Sequence, residues 1–353
     1  MLSGTSGFSG FTFDWYNRTT SDILTTANLP ATLGADAPYE NMGTIQTKGW
    51  ELAIDYRHTF KNGLHFGVTA SVADDKTEVT KWTYNTKIPS YGATGWWDKS
   101  AYKEGMVLGD IWGLQFDRFL TEDDFNADGS LKAGLPDQTK VFPAGYQFAP
   151  GDVLYKDLDN NGEIVKQTNT NDKGDLSVIG NALPRLQFGL NLDAAWKGFD
   201  ISMFFQGVAK RKLWAAGNQV LPGFTTGEPF YKGAEDYWTP ENTDAFYPRP
   251  MDYKQSASGN YSVNDRYLLN MAYLRLKTFT VGYSLPKVWL SKFKVQGLRV
   301  YFTGENLFTI DGVKPAIDPE IGIRTASGKS DQRNFGRSYP YQKTVSFGIQ
   351  LSL

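Results

Sequence analysis

The chain has 353 residues and a formal net charge of −2, so it lacks the cation excess that binding by phosphate neutralisation needs. It has no cysteine, which excludes a disulfide framework, a thiol nucleophile and any Cys-based metal centre. Aromatic residues make up 15% of it, mean hydropathy is −0.41, and no run approaches the ~18 apolar residues of a membrane-spanning helix. A transmembrane barrel stays open, because alternating strands average out in a hydropathy profile.

The first seven residues, MLSGTSG, carry neither the basic nor the apolar region of a secretory signal. If the rest belongs in an outer membrane, the expectation is a chain that continues upstream. Alternation of apolar and polar residues then marks strands, because successive side chains point to opposite faces. Phe11, Phe13 and Trp15 alternate with Thr12, Asp14 and Tyr16. Trp50, Leu52, Ile54 and Tyr56 oppose Glu51, Asp55 and Arg57. After the turn Lys61-Asn62-Gly63, Leu64, Phe66, Val68, Ala70 and Val72 form a third apolar face. Leu186, Phe188, Leu190 and Leu192 form the fourth. Past a tight turn at Lys197-Gly198, Phe199, Ile201, Met203 and Phe205 form the fifth. In the sixth, Leu274 and Leu276 give way to Phe279, Val281 and Tyr283, a phase slip that predicts a bulge near Thr278. Leu298, Val300 and Phe302 mark the seventh strand, and Val345 to Leu353 the eighth.

Connections alternate in size. Short ones fall at 61–63, 197–198 and 286–296; long loops span roughly 17–43, 84–183, 209–266 and 309–340. Short turns at one end and long loops at the other is the layout of outer-membrane barrels, whereas sandwich turns are of similar length at both ends. The polar face holds Glu51, Asp55, Arg57, Asp193, Asp200, Arg275, Lys277, Arg299 and Glu305, which suits a wide barrel lumen. Trp15, Tyr16, Trp50, Trp196, Phe199, Tyr283 and Trp289 lie near strand ends, as interfacial girdles do. The expected fold is therefore all-β, an antiparallel transmembrane β-barrel wall of about eight strands.

Six stretches in order resemble the SusC/RagA family of TonB-dependent outer-membrane transporters. They are Asn41 to Glu51 (NMGTIQTKGWE), Gly151 to Gly162 (GDVLYKDLDNNG) and Ile179 to Arg185 (IGNALPR). Phe204 to Gly207 (FFQG), Tyr273 to Pro286 (YLRLKTFTVGYSLP) and Gly304 to Phe308 (GENLF) complete the set. The resemblance covers nearly the whole chain. It implies a 22-stranded barrel filled by a plug domain, uptake driven by TonB, and a SusD-like lipoprotein over the extracellular mouth. Residues 1–353 would be the C-terminal part of that barrel, without the plug, the TonB box or the signal peptide. An open sheet in lipid leaves edge N–H and C=O groups unpaired, which also argues that eight strands are not the whole.

The most pointed local pattern is Asp157-x-Asp159-x-Asn161-Gly162-Glu163, the first half of a Ca2+ loop, with the Glu163 carbonyl at the seventh position. Thr168 stands where a bidentate acid belongs, so Asp172 or Asp175 would have to complete the set. A solvated Asx turn is the plain alternative. Asp124-x-Asn126-x-Asp128-Gly129 repeats the half-pattern and reads as an exposed turn. Trp96, Trp97, Trp112, Trp214 and Trp238 are candidate sugar-stacking residues, with Tyr231, Tyr237, Phe246 and Tyr247 beside them. Small loop cores would use the same residues. His58 and His65, the only histidines, have no Ser or acid spaced for a triad, so no catalytic residue and no enzyme is expected.

The expected function is TonB-dependent uptake of oligosaccharides or peptides across the outer membrane. The partners would be a SusD-like surface lipoprotein, TonB through the missing plug, the lipid bilayer and the substrate, with no nucleic acid. A soluble or surface β-protein binding glycans through loop aromatics, without transport, is the alternative.

Overall fold

The computed structural model describes residues 8–26, 38–83, 103–166, 173–215, 217, 219–223, 230–251, 259–290, 295–314, 317–320, 325–326, 329–330, 339 and 341–352. The chain begins with three long strands, β1 (Phe8–Thr26), β2 (Tyr39–Thr59) and β3 (His65–Trp82). Short strands β4 (Asp110–Gly113), β5 (Phe116–Phe119), β6 (Val153–Tyr155) and β7 (Ser177–Asn181) follow. Next come β8 (Arg185–Trp196), β9 (Phe199–Lys210), β10 (Lys212–Leu213), β11 (Leu269–Asn270) and β12 (Tyr273–Ser284). After the four-residue helix α1 (Lys287–Leu290) come β13 (Gly297–Asp311), β14 (Thr325–Ala326), β15 (Lys329–Ser330) and β16 (Thr344–Ser352). The eight long strands form one antiparallel sheet in the order β1-β2-β3-β8-β9-β12-β13-β16, with β1 and β16 as its open edges. The short strands pair off in two-stranded sheets outside it.

Register puts the apolar residues of neighbouring strands side by side. Phe11 sits opposite Ile54, Phe13 opposite Leu52 and Trp15 opposite Trp50. Leu190 lies between Ala70 and Phe205, and Phe302 opposite Phe347. No second layer covers this face among the described residues: Phe11 is 72% exposed, Phe347 84% and Ile349 74%. A soluble sandwich would bury this set, so the face is built for an apolar surrounding. The opposite face is polar and concave. Thr12, Glu51, Ser71, Gln187, Asn191 and Gln206 line a trough of about 660 Å³ there.

The expected strands all form, and most run longer. The loop placed at 17–43 is shorter, because β1 continues to Thr26 and β2 begins at Tyr39. Beyond Trp15 the ribbon leaves the apolar band, and Asn17 and Thr19 pair with Lys48 and Gln46. The outward alternation that marks a strand is therefore lost while the hydrogen-bonded ladder continues. Tyr16 is a second correction: it lies on the face opposite Trp15, over Gly49, so it is no part of an outer girdle. A Cβ at Gly49 would stand 2.5 Å from the Tyr16 ring.

The bulge near Thr278 is present, as a register break between Leu276 and Thr278 against both neighbouring strands. Facing it on β13, Asn306 takes φ +52°, a left-handed conformation that asparagine tolerates better than most residues. Its side-chain N–H donates to the Gln342 carbonyl at 3.2 Å, fastening the approach to β16. Both tight turns carry positive φ, at Gly63 and at the pair Lys197-Gly198.

The polar face is held by paired charges. The Arg299 guanidinium crosses Gly282 to reach Asp200, with Nε–H donating at 3.0 Å and Nη2–H at 2.5 Å. Arg275, 3% exposed, donates to Asp318 at 2.7 Å and Thr309 at 2.8 Å, while Lys277 donates to Glu320 at 2.6 Å. The 317–320 segment is thereby tied to the inner wall. At β8 the IGNALPR stretch makes a corner. Leu186 is forced to φ +51°, and Asp74 of β3 accepts the Leu186 N–H at 3.1 Å and the Arg185 Nη2–H at 2.7 Å.

Candidate functional site

The segments between β3 and β8 and between β9 and β12 fold together into a body with its own apolar cores. One core gathers Ile111, Leu213, Trp214, Leu221, Tyr247, Tyr267 and Met271. The other gathers Leu114, Phe119, Phe142, Val153, Tyr155, Ile164 and Trp238. Burial on this scale fixes long loops that sequence spacing alone would leave open, because each buried side chain contributes roughly 1.5–3 kcal/mol.

A buried polar knot locks the two loop regions to each other. Asp152, with no exposed surface, accepts from Arg249 Nε–H at 2.8 Å, the Tyr146 hydroxyl at 2.8 Å and the Ala149 amide at 2.9 Å. Asn260 donates to the same carboxylate at 3.0 Å and accepts the Val153 amide at 2.8 Å. Burial first, and then the Asp152 charge, push the Tyr146 hydroxyl far above its usual range, so it stays a donor. Gln138, also fully buried, donates to the Val153 carbonyl and accepts the Tyr155 amide, extending β6 by one side-chain rung. Arg118 of β5 clamps Asp124 of the turn that follows, and that hydrogen bond outweighs desolvation to hold the Asp124 carboxyl down at about 2.

Trp214 is 2% exposed and Trp238 7%, both packed inside loop cores, so neither offers a face to a sugar ring. Trp112 is half-buried against the second core. For Trp214 and Trp238 this corrects the expected stacking role, while Trp112 keeps part of its surface. Trp96 and Trp97 lie outside the described residues. Open aromatic surface occurs elsewhere, at Phe230, Tyr231 and Tyr237. With Pro222, Pro248 and Pro250, and backed by the buried Tyr247 and Tyr261, they wall a cavity of about 650 Å³. A more open hollow of about 800 Å³ adjoins it, sharing Tyr231, Lys232 and Glu235 and adding Asp244, Arg266 and Lys314. Arg266 donates to the Ala245 and Phe246 carbonyls, and its guanidinium lies 4.3 Å above the Phe116 ring.

Asp157, Asp159 and Asp175 place one carboxylate oxygen each within 4.8 Å of one another. Asp157 accepts the amides of Asn160 at 2.7 Å and Gly162 at 2.7 Å, with positive φ at both residues. Asp175, fully buried, accepts the amides of Leu158 at 2.8 Å and Val165 at 2.7 Å. Desolvation raises Asp159, and the hydrogen bond and charge of Asp157 add to it together with the Asp175 charge. Asn161 and Glu163, the other expected ligand residues, lie on the same turn, Glu163 to act through its carbonyl. The Glu163 carboxylate pairs with Lys140, and the Asn161 side-chain oxygen accepts the Glu163 amide at 2.8 Å. Asp172 lies outside the described residues, so among the described acids Asp175 completes the cluster.

No family model matches the chain. Over 351 residues it is 27% identical to TonB-dependent receptor P3 of Formosa agariphila, covering 96% of this chain and 32% of that protein. Over 349 residues it is 22% identical to TonB-dependent receptor SusC of Bacteroides thetaiotaomicron, covering 96% and 29%. The chain is related to the SusC/RagA-type TonB-dependent receptors. It spans about a third of the length of the curated relatives it matches. In fold it is similar to a solved structure of the RagAB peptide transporter, with a TM-score of 0.63 and 18% identity, over 97% of this chain and 33% of that one. A second RagAB structure, in the open-open state, gives a TM-score of 0.61 at 18% identity. The eight-stranded sheet is thus a barrel wall of the TonB-dependent receptor type, and the loop body is its appendage at the long-loop end.

Proposed function

We propose that this chain is wall and outer vestibule of a TonB-dependent importer of the outer membrane, taking up oligosaccharides or peptides beneath a SusD-like lipoprotein. The uncovered apolar face of the sheet is the observation that carries this reading. Further strands, a plug and the TonB contact would come from the rest of a longer protein. Two open sheet edges in lipid would otherwise leave backbone groups unpaired at several kcal/mol each. The role of the loop body is capture, with its aromatic cavity and charged hollow facing the incoming solute, and the family relationship is to receptors rather than enzymes. The RagAB likeness keeps peptides beside oligosaccharides as candidate cargo.

The test is fractionation of the parent host together with deletion of the full-length gene, followed by uptake of labelled peptides and oligosaccharides. The expected result is protein in the detergent-requiring envelope fraction and loss of uptake of one solute class. A product that is soluble and monomeric without detergent would return the reading to a soluble glycan-binding β-protein.

The same reading includes a structural Ca2+ ion held by Asp157, Asp159 and Asp175, where clustered carboxylates and the DxDxNG turn supply the hard oxygen ligands calcium takes. Titration of the full-length receptor with Ca2+ should give one saturable site, with a dissociation constant on the order of 0.1–1 mM as in extracellular modules. Asp159→Asn should abolish it. Heat of binding indistinguishable from buffer would leave the loop as an Asx turn alone.

A further inference from the structure

The register of the first three long strands stacks outward-facing residues in rows across the sheet. Trp15, Trp50 and Asp74 share one row, and Asn17, Lys48 and Lys76 the next row toward the long loops. Lys48 and Lys76 follow Trp50 and Val72 on the apolar, outward phase, and both are exposed. They stand directly opposite each other on adjacent strands, an arrangement that is destabilising for like charges unless an anion lies between. Nearby carboxylates do not supply that anion. Asp74 is engaged by Arg185, Glu78 reaches only Lys76, at 3.7 Å, and Asp110, which also feels the Lys76 charge, is held by Asn181 and the Val107 amide. Lys48 has no charged partner among the described residues, and Lys210, registered opposite Arg185, adds a further cation. The cluster is thus four cations against three carboxylates, Asp74, Glu78 and Asp110, set immediately above the tryptophan row that ends the apolar band.

We propose that Asn17, Lys48 and Lys76 form a docking row for the phosphate of an anionic glycolipid headgroup in the outer leaflet. The inference rests on the membrane reading above. Opposed residues of neighbouring strands have Cβ atoms ~4.5–5.5 Å apart, so one phosphate can accept from both ammonium groups. The Asn17 amide adds a neutral donor in the same row. Trp15 and Trp50 set the depth, since aromatic rings at the apolar boundary place the next row among the headgroups. A free phosphate ion would meet the same cations but would lack acyl chains against Phe11, Phe13 and Leu52 below. The occupant is therefore the lipid.

The test uses the full-length receptor purified from the envelope, whose need for detergent is checked first and separately. Binding of a fluorescent bisphosphorylated glycolipid is then compared with binding of its dephosphorylated form. Each lysine near an anionic surface is worth roughly fivefold in affinity, so Lys48→Gln with Lys76→Gln should weaken binding of the phosphorylated lipid by about 25-fold. Lys48→Arg with Lys76→Arg should restore it, and the dephosphorylated lipid should bind weakly throughout. Both pairs lie on the surface, and folding is verified by heat-modifiable gel mobility. Equal binding of the two lipids, or full binding by the Gln pair, overturns the proposal. So does complete displacement by inorganic phosphate, which would make the row an ion site. A receptor that needs no detergent defeats the membrane reading instead, before any lipid is measured.

Discussion

Replacing Asp152 with alanine is expected to destabilise the loop body by about 3–5 kcal/mol, the range for breaking a buried ion pair from one side. The carboxylate has no exposed surface and collects donors from Arg249, Tyr146, Ala149 and Asn260. Its loss strands the Arg249 guanidinium, whose side chain is only 25% exposed, with no carboxylate beside it and only the neutral Tyr146 hydroxyl to accept from it, at 3.4 Å. These donors come from segments about a hundred positions apart in sequence, so the two loop regions should part together. Limited proteolysis of the full-length receptor would show cleavage within 120–152 and 230–251 while the barrel keeps its heat-modifiable mobility. Arg249→Ala should cost a similar amount. Combining Asp152→Ala with Arg249→Met should recover much of the loss, because a matched apolar pair avoids the desolvation of either charge. Equal protease resistance of Asp152→Ala and the parent would mean that the apolar cores alone hold the body.

What could be read from the residues, and what could not, divides along the range of the interactions involved. Strand positions follow from period-two alternation, which is local, and Leu186 to Leu192 or Val345 to Leu351 carry it unmistakably. The slip at Thr278 is local too, and the register break sits there. The upper reaches of β1 and β2 escaped notice because Asn17, Thr19, Lys48 and Gln46 lie outside the apolar band, where alternation carries no hydrophobic signal. The Asp157 loop is legible as a motif with Asp172 or Asp175 to complete it, and the fold brings Asp175 to Asp157 and Asp159, a choice that spacing alone does not make. Trp214 and Trp238 looked like ligand platforms for the same reason that they make good cores: large flat apolar area. Their burial depends on partners such as Met271 and Ala245, which no local pattern brings near. Phe230, which follows Pro229, carries a local cue to the cavity, whereas Tyr261 reaches it only through the fold.

Leu190→Arg and Asn191→Arg are neighbouring substitutions whose effects should differ sharply if the apolar face meets lipid. Leu190 sits mid-strand on β8 between Ala70 and Phe205, well inside the apolar band, whereas Asn191 lies on the polar face between Thr69 and Phe204. Arginine on the lipid side near the bilayer midplane costs about 2–4 kcal/mol, and the figure falls to about 0–1 near the interface. On the polar side it meets water and the carboxylates of Asp14 and Glu51 along the same trough. Unfolding of the full-length receptor reconstituted in vesicles should therefore report a loss of about 2–4 kcal/mol for Leu190→Arg and less than about 1 for Asn191→Arg. A third variant, Trp196→Arg at the short-turn end, should lie close to Asn191→Arg, since depth and not side-chain volume sets the cost. In water the ordering disappears. Leu190 and Trp196 are both partly exposed, and surface substitutions there would fall within about 0.5 kcal/mol of the parent and of each other. The depth dependence is the discriminating quantity, because a folding defect from bulk alone would follow the size change at each position and not its height on the wall.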